Sequence, residues 1–294
     1  NSSKTNRAWT LRAAFRERGH RIMTQSGKAP ARSAFALAVD VGNTLTRFGL
    51  FEGNELASTW CATTRPVITV DEAHAMLREF FLIRGLSSPS HEVSIERAIV
   101  SSVVPSITDA WVQAAHAVST SRPLVVGPGL KTGLKMHFDD PGEVGSDRIA
   151  DMVAAKELFG FPLIVVDFGT TTNFEVLDEG GAFAGGIIAP GLRLSLSALS
   201  SAAARLSMVE MKAPASIVGT NTRTAIQSGA VMGEVARIDG LIDMIWQEMG
   251  CAGGVVMSGD DASALAALCS HEAQVEPDLT LLGLGMLERL NRRR

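Results

Sequence analysis

The sequence predicts an α/β protein made of two lobes of like design, with a cleft between them. Two observations carry that prediction. The first is a phrase written twice: "VDVGNTLT" runs from Val39 to Thr46 and "VDFGTTTN" from Val166 to Asn173. Each copy follows an apolar run, "FALAV" or "PLIVV", and each gives Asp, one apolar residue, Gly, then a cluster of Thr or Asn. The second is an element order of strand–strand–strand–helix–strand–helix that occurs, breaks off and starts again. A chain of 294 residues suits two modest lobes.

The first strand is read at about 35–41, "FALAVDV". "TRFGLFEG" alternates and ends in a turn at Gly53-Asn54, and "ELASTWCA" follows, so two short antiparallel strands come after the first Asp. Ala73, Met76, Leu77, Phe80 and Phe81 fall at helical spacing and predict a helix over 70–84, stopped near Gly85. "RAIVSSVVP" reads as a buried strand ending in a Ser-Ser loop, and "SITDAWVQAAHAV" as a helix capped by Ser106 or Thr108. "PLVVG" is a further strand, 127–146 is rich in loop residues, and a helix is expected over 147–159. The pattern then restarts with strands "PLIVVDF", "NFEVLDEGG" and "AFAGGII". Helices are expected at about 190–205 and 221–249, the second capped by Asn221 or Thr222. A strand "GGVVMSG", a short helix at 261–268 and a closing helix "LTLLGLGMLERLNR" complete the chain. The lobes are assigned to 36–145 and 146–294.

Composition narrows the function classes. Residues 1–35 carry eight Lys/Arg against one acid, Glu17; with a net charge of −4 for the whole chain, the remainder carries −11. An acidic body argues against nucleic-acid binding. The basic leader lacks an apolar h-region and so is no secretory signal. It is read as an extension ahead of a start near Met23, poorly ordered unless it docks, with an organellar transit peptide as the alternative. No apolar run approaches the roughly 20 residues of a membrane span. Cys61, Cys251 and Cys269 are far apart and form no CxxC pair, which fits a reducing, cytoplasmic setting. The six His show no metal-ligand spacing.

The doubled phrase has a chemical logic. Gly42 and Gly169 let the backbone approach a ligand, and the N–H and hydroxyl groups after them can line an anion cradle. Asp40 and Asp167 sit at the strand ends beside those cradles. A carboxylate about 4 Å from a like charge is repelled by roughly 4 kcal/mol at an effective dielectric near 20. A hard cation such as Mg²⁺ converts that repulsion into binding. Two cradles, two acids and a cleft point to a nucleoside triphosphate held with a metal. No GxxxxGK[ST] occurs and no GxGxxG follows a strand, so neither a Walker loop nor a Rossmann site is present. "GLGM" near Gly283 lies in a helical pattern and reads as packing. In "DDPGEVGSDRIAD", Asp147 and Arg148 open a helix after Gly145. There the carboxylate can accept N-terminal N–H groups or face the cleft as a base, and Arg148 offers a fork for a substrate carboxylate. Gln227, Ser228 and Gly229 are candidates to face a partner helix or another subunit.

In this order, "DVGNT", "SSVVP", "GPGLKTGL", "DPGEVGSDRIADMVAA", "VVDFGTTT", "GGIIAPGL", "GTNTRTAIQSGAVMG" and "PDLTLLGL" resemble type III pantothenate kinase, over about residues 36 to 290. The resemblance implies two RNase H-like lobes of mixed sheets with flanking helices, the actin-like fold of the acetate kinase and sugar kinase superfamily. It implies transfer of the ATP γ-phosphate to the primary hydroxyl of pantothenate, the first step of coenzyme A synthesis. Mg²⁺, a monovalent cation (K⁺ or NH₄⁺) and a homodimer are implied with it. At matching positions, Asp40, Gly42, Asn43 and Thr44 take the part of the first phosphate turn, with Asp40 serving Mg²⁺ through phosphate. Asp167, Gly169, Thr170 and Thr171 take the second, with Asp167 as monovalent-cation ligand. Asp147 matches the general base, while Gly129, Lys131, Thr132, Phe138, Gly145 and Arg148 match the pantothenate side.

Some motif positions depart from the family pattern. Leu45 stands where the family writes Asn, and Phe138 and Asp140 stand where it writes Tyr and Asn. Phe138 forgoes a phenolic hydrogen bond worth roughly 0.5–1.5 kcal/mol. The second turn ends Thr171, Thr172, Asn173, Phe174, Glu175 where the family writes Ala-Thr-Thr-Phe-Asp, and Asp260 brings a side chain and negative charge toward the nucleotide. These departures raise an alternative: a homologue of the same fold that binds nucleotide or a partner protein without turnover.

Overall fold

The computed structural model describes residues 35–88, 93–202 and 210–292. The basic leader lies outside them except for Phe35, as does the end of the helix expected to reach 205.

The first half gives β1 (Phe35–Val41), β2 (Leu45–Glu52), β3 (Glu55–Thr63), α1 (Val70–Ile83), β4 (Ile95–Ser102), α2 (Pro105–Val118), β5 (Leu124–Val125) and α3 (Ser146–Phe159). The second gives β6 (Leu163–Phe168), β7 (Thr171–Leu177), β8 (Phe183–Pro190), α4 (Leu192–Ala202), α5 (Thr222–Gln227), a π-helical turn (Ser228–Met232) and α6 (Gly233–Met249). It closes with β9 (Gly254–Gly259), α7 (Ala262–Ala266), β10 (Gln274–Val275) and α8 (Leu279–Leu290). The sheet orders are β3-β2-β1-β4-β5 and β10-β9-β6-β7-β8. In both, a three-stranded antiparallel meander continues into parallel strands, so the two sheets share one topology.

Strand alternation sorts the side chains into layers. On β1, Leu37, Val39 and Val41 face α1 and α2 in an outer core with Phe48, Leu77, Phe81 and Trp111. Aromatic rings fill that core, with Phe48 stacked on Trp60 at 5.6 Å between centroids. Ala36 and Ala38 face the opposite way, into a central layer formed by α3 and α8. Leu163, Val165 and Leu177 of the second sheet reach the same layer from the other side. The outer face of the second sheet packs on the other helices through Ile164, Val166, Ile238 and Ile242.

The central helices meet at unusually short range. A Cβ at Gly283 of α8 would lie 1.9 Å from the Ala150 carbonyl oxygen of α3, and one at Gly285 would lie 2.5 Å from the Phe51 ring. The "GLGM" glycines are therefore packing glycines. Thr280 Oγ1 donates to the buried Asp151 Oδ1 at 2.7 Å and ties the two helices together.

Local signals are mostly realised with shifted ends. Thr69 and Glu72 form a capping box for α1, and Asn221 with Thr224 forms one for α5. The cap expected from Ser106 or Thr108 is not used: α2 begins with Pro105 at its first position and Val104 as cap. Thr108 instead turns its hydroxyl back to the Val104 carbonyl. The single helix expected over 221–249 is interrupted by the π-helical turn. There the Ser228 hydroxyl donates to the Ile217 carbonyl at 2.6 Å, and Gln227 Nε2 donates to the Glu210 carbonyl. Both side chains are thus engaged by their own chain. Strand β10 lacks any sequence signal, being two residues held by parallel pairing to β9.

Gly283→Ala should destabilise the protein by at least about 2 kcal/mol, because overpacking meets backbone that cannot rotate away. Denaturant unfolding measures this, and a midpoint equal to the wild type would show that the two helices can part freely.

Candidate active site

The two copies of the phrase form the β1–β2 and β6–β7 turns. Gly42 N–H donates to the Leu45 carbonyl at 3.1 Å, and Gly169 N–H donates to the Thr171 carbonyl at 2.9 Å. Leu45 thus closes its turn through its backbone carbonyl. Gly191 N–H reaches the Thr170 carbonyl, and a Cβ at Gly191 would press on the second turn at 2.6 Å. Asn43, Thr44, Gly169 and Thr170 are exposed at the tips. The tips converge: the hydroxyls of Thr44 and Thr170 lie 2.7 Å apart and bridge the two repeats.

Asp40, Asp167, Asn173 and Glu175 share strand parity with the residues facing the central layer, and α3 supplies Asp147, Arg148 and Asp151 there. The start of α3 is fixed to the first sheet by serines. Ser101 Oγ donates to Asp40 Oδ1 at 2.8 Å and meets Ser146 Oγ at 2.9 Å, while Ser102 N–H donates to Ser146 Oγ. Asp147 Oδ1 accepts the Arg148 N–H at 2.8 Å. Gly145 makes this possible, since a Cβ there would sit 2.5 Å from Asp147 Oδ1.

The acids act on one another. Burial, then the charge of Asp147, pushes the Asp40 carboxyl up to about 7, against the Ser101 hydrogen bond. Burial and Asp147 likewise raise Asp167 to about 6. Burial raises Asp147 itself, with the Arg148 N–H opposing. Asp151 is raised well above the usual carboxylate range by burial and by the fields of Asp167 and Glu175. Glu175 is fully buried and rises to about 8, mainly through burial, although Arg148 Nε donates to its Oε1 at 2.9 Å.

Arg148 is held more firmly than its role as a free fork suggested. Besides Glu175, its guanidinium packs over Phe138 and Phe183 at 5.9 and 5.6 Å from their centroids. Phe138 meets Phe183 edge-on at 4.9 Å, so the ring that replaces a tyrosine serves as a packing plate. Asp140 caps the short 3₁₀ turn Pro141–Glu143 by accepting the Gly142 N–H. Gly129 adopts φ +94 in the loop after β5. Lys131 exchanges backbone bonds with the Asn291 side chain, and Thr132 Oγ1 accepts the Leu134 N–H. The polar bonds of this loop go to α8 and to the loop itself, not to the acids.

Sequence reasoning missed several participants. Ser101 and Ser146 lie in quoted motifs, yet nothing in one sequence tells a loop serine from a carboxylate clamp. Behind the second turn, Thr172 donates to the buried Glu234 at 2.8 Å; Glu234 pairs with Arg237, whose guanidinium donates to the Pro190 carbonyl. Arg47 pairs with Asp260 at 2.7 Å, so the charge at 260 is met by a cation.

Two sheets of one topology, with α3 and α8 between them and a matching Asp-X-Gly turn on each, define an α/β protein of the actin-like class. A type III pantothenate kinase family profile matches residues 36–244, and the chain belongs to that family. A type III pantothenate kinase of Anaeromyxobacter sp. (strain Fw109-5) is 39% identical over 256 residues, covering 87% of this chain and 99% of that one. One from Listeria monocytogenes is 40% identical over 256 residues, covering 87% and 97%. Among solved structures, a Baf family protein from Campylobacter jejuni superposes with a TM-score of 0.54 at 17% identity, covering 87% of this chain and 98% of that one. The ethanolamine utilization protein EutJ from Carboxydothermus hydrogenoformans gives 0.52 at 15%, covering 88% and 92%. Those two bear on the fold alone.

Two outcomes follow. Gly145→Ala should keep its fold, since the residue has φ −55 and ψ 141, yet lower turnover by displacing Asp147; full activity would show that the carboxylate position is not critical. Glu175 binds its proton more tightly folded, near 8, than in its ordinary range near 4.5. Its contribution is therefore fullest below the unfolded value and is lost as pH rises through the folded one; Asp40 and Asp167 act in the same sense. The melting temperature of the ligand-free protein should fall from about pH 5 to about pH 8, less steeply in Glu175→Gln. An unchanged slope in that variant would contradict the assignment.

Proposed function

We propose that this protein transfers the γ-phosphate of ATP to the primary hydroxyl of pantothenate, giving 4′-phosphopantothenate for coenzyme A synthesis. The observation that supports the reading is the 2.7 Å meeting of Thr44 and Thr170 on the two turns that carry Asp40 and Asp167, with the charge of Asp147 acting on both acids. The roles are those that the resemblance to the family assigns. Asn43, Thr44, Gly169, Thr170 and Thr171 hold the phosphates, with Gly42 shaping the first turn. Asp147 accepts the proton of the pantothenate hydroxyl as that oxygen bonds to the γ-phosphorus and the bond to ADP breaks. Arg148, Phe138, Gly145, Gly129, Lys131 and Thr132 make the pantothenate side. Phosphoryl transfer asks mainly for alignment and charge stabilisation, which such a cleft supplies.

The donor set suits cations. Asp40 is buried and Asp167 half-buried, both raised by burial and then by the charge of Asp147, and Asn173 is largely buried with an Oδ1 that has no hydrogen-bond partner among the described residues. Among the described residues no group of three or more His, Cys, Asp or Glu is arranged to hold a metal ion. Mg²⁺ is assigned to Asp40 through phosphate, and a monovalent cation, K⁺ or NH₄⁺, to Asp167. When bound, these ions neutralise phosphate charge. A homodimer with lobes at 36–145 and 146–294, working in the cytoplasm without nucleic acid or membrane, completes the proposal. Among the described residues no helix is long and apolar enough to cross a membrane.

The test is product formation from ATP and pantothenate with Mg²⁺, comparing K⁺ with Na⁺. Turnover should need K⁺, and Asp147→Asn should lower kcat by about 10²–10⁴-fold with little change in melting. Absence of product from folded wild type would sink the pantothenate reading.

A further inference from the structure

Arg47 stands on β2 directly opposite Asp40 in the β1–β2 register, three residues beyond Thr44. Its guanidinium donates to Asp260 Oδ1 at 2.7 Å, across from the first sheet to the loop after β9. That loop is fixed by Gly259 at φ +90, where a Cβ would strike the Phe168 carbonyl oxygen at 2.1 Å. Asp260 is thereby held beside the strand that carries Asp167, and the ion pair spans the same two repeats as the Thr44–Thr170 contact. The partners differ in burial: the Arg47 side chain is 26% exposed and that of Asp260 52%. Burial works against the charge of Arg47, but the bond to Asp260 and the fields of Asp260, Asp167 and Asp40 outweigh it and keep the guanidinium firmly protonated.

One cation thus faces three carboxylates at the mouth between two phosphate turns. An exposed ion pair holds weakly, whereas a guanidinium meets phosphate oxygens through a strong two-pronged bond. A polyphosphate lying between the turns would offer Arg47 a better partner than Asp260 does.

We propose that Arg47 is a phosphate-recognising residue of the nucleotide site that alternates between Asp260 and the nucleotide's polyphosphate, so that Asp260 tunes nucleotide affinity by competition. This rests on the kinase reading. It also gives the acid at 260 a function, since its charge is exchanged with phosphate for a shared cation and does not simply repel it.

The two residues should therefore have opposite effects. With the full chain and Mg²⁺, binding of ATP, ADP and AMP is measured by calorimetry beside KM for ATP. Arg47→Gln should weaken ATP about tenfold while AMP changes less than about twofold, the loss growing with phosphate number. Asp260→Asn should tighten ATP by about threefold or more, because the competitor is gone. The double variant should match Arg47→Gln, since Asp260 acts only through Arg47. Weaker ATP binding in Asp260→Asn would overturn the proposal and make the pair a structural strut. Equal losses for ATP and AMP in Arg47→Gln would overturn it too. Asp260 lies on an exposed loop, so its variant decides the matter even if Arg47→Gln does not fold. Wild type that binds ATP and turns over, with variants that do not diverge, refutes this inference alone; wild type that does neither refutes the kinase reading as well.

Discussion

The close approach of α3 and α8 is the constraint on which the site depends. Helix axes usually stand 8–10 Å apart, with side chains between them. Here Gly283 removes the side chain and brings α8 against the Ala150 carbonyl, and Gly285 makes room for Phe51. α3 is then wedged between the sheets with little freedom to slide. Its first turn is pinned by Ser146 to Ser101 and Ser102. The position of Asp147 thus follows from glycines on the neighbouring helix, one of which abuts Ala150 three residues further along α3.

This rigidity has an electrostatic use. Buried carboxylates repel and lose hydration, and an accommodating scaffold would let them separate or turn to water. Held in place, Asp40, Asp147, Asp151, Asp167 and Glu175 stay close, and burial with mutual repulsion raises their proton affinities. Cations and donors offset it in part: Arg148 at Glu175, Thr280 at Asp151, Ser101 at Asp40. An entering cation would find a field already prepared.

Much of this was legible in the sequence. The doubled Asp-X-Gly phrase foretold both turns and the shared fold of the halves, because its meaning is local: a strand, a glycine and polar tips. The helical spacing of Ala73, Leu77 and Phe81 gave the buried face of α1. The α2 cap was misread because Pro105 starts a helix as well as serine does. The π-helical turn could not be read, since its cause is tertiary: Ser228 bonds to a carbonyl eleven positions earlier. Arg47 and Asp260 are separated by 213 positions, and pattern along the chain says nothing about such a pair. In the sequence Asp260 looked like an obstacle, and Arg47 drew no reading.

The repeats are alike in topology but unlike in what their closing helices carry. α3 opens "SDRIAD", with polar groups for the cleft, whereas its counterpart α8 opens "LTLLGL" and presents an oily, glycine-notched surface. The molecule therefore has near-twofold architecture around a lopsided interior. Each Asp-X-Gly turn has a near twin, but Asp147 has none. In the proposed reaction a polyphosphate between the matched turns would meet a carboxylate base on one side only, so the acceptor hydroxyl would have one side from which to attack.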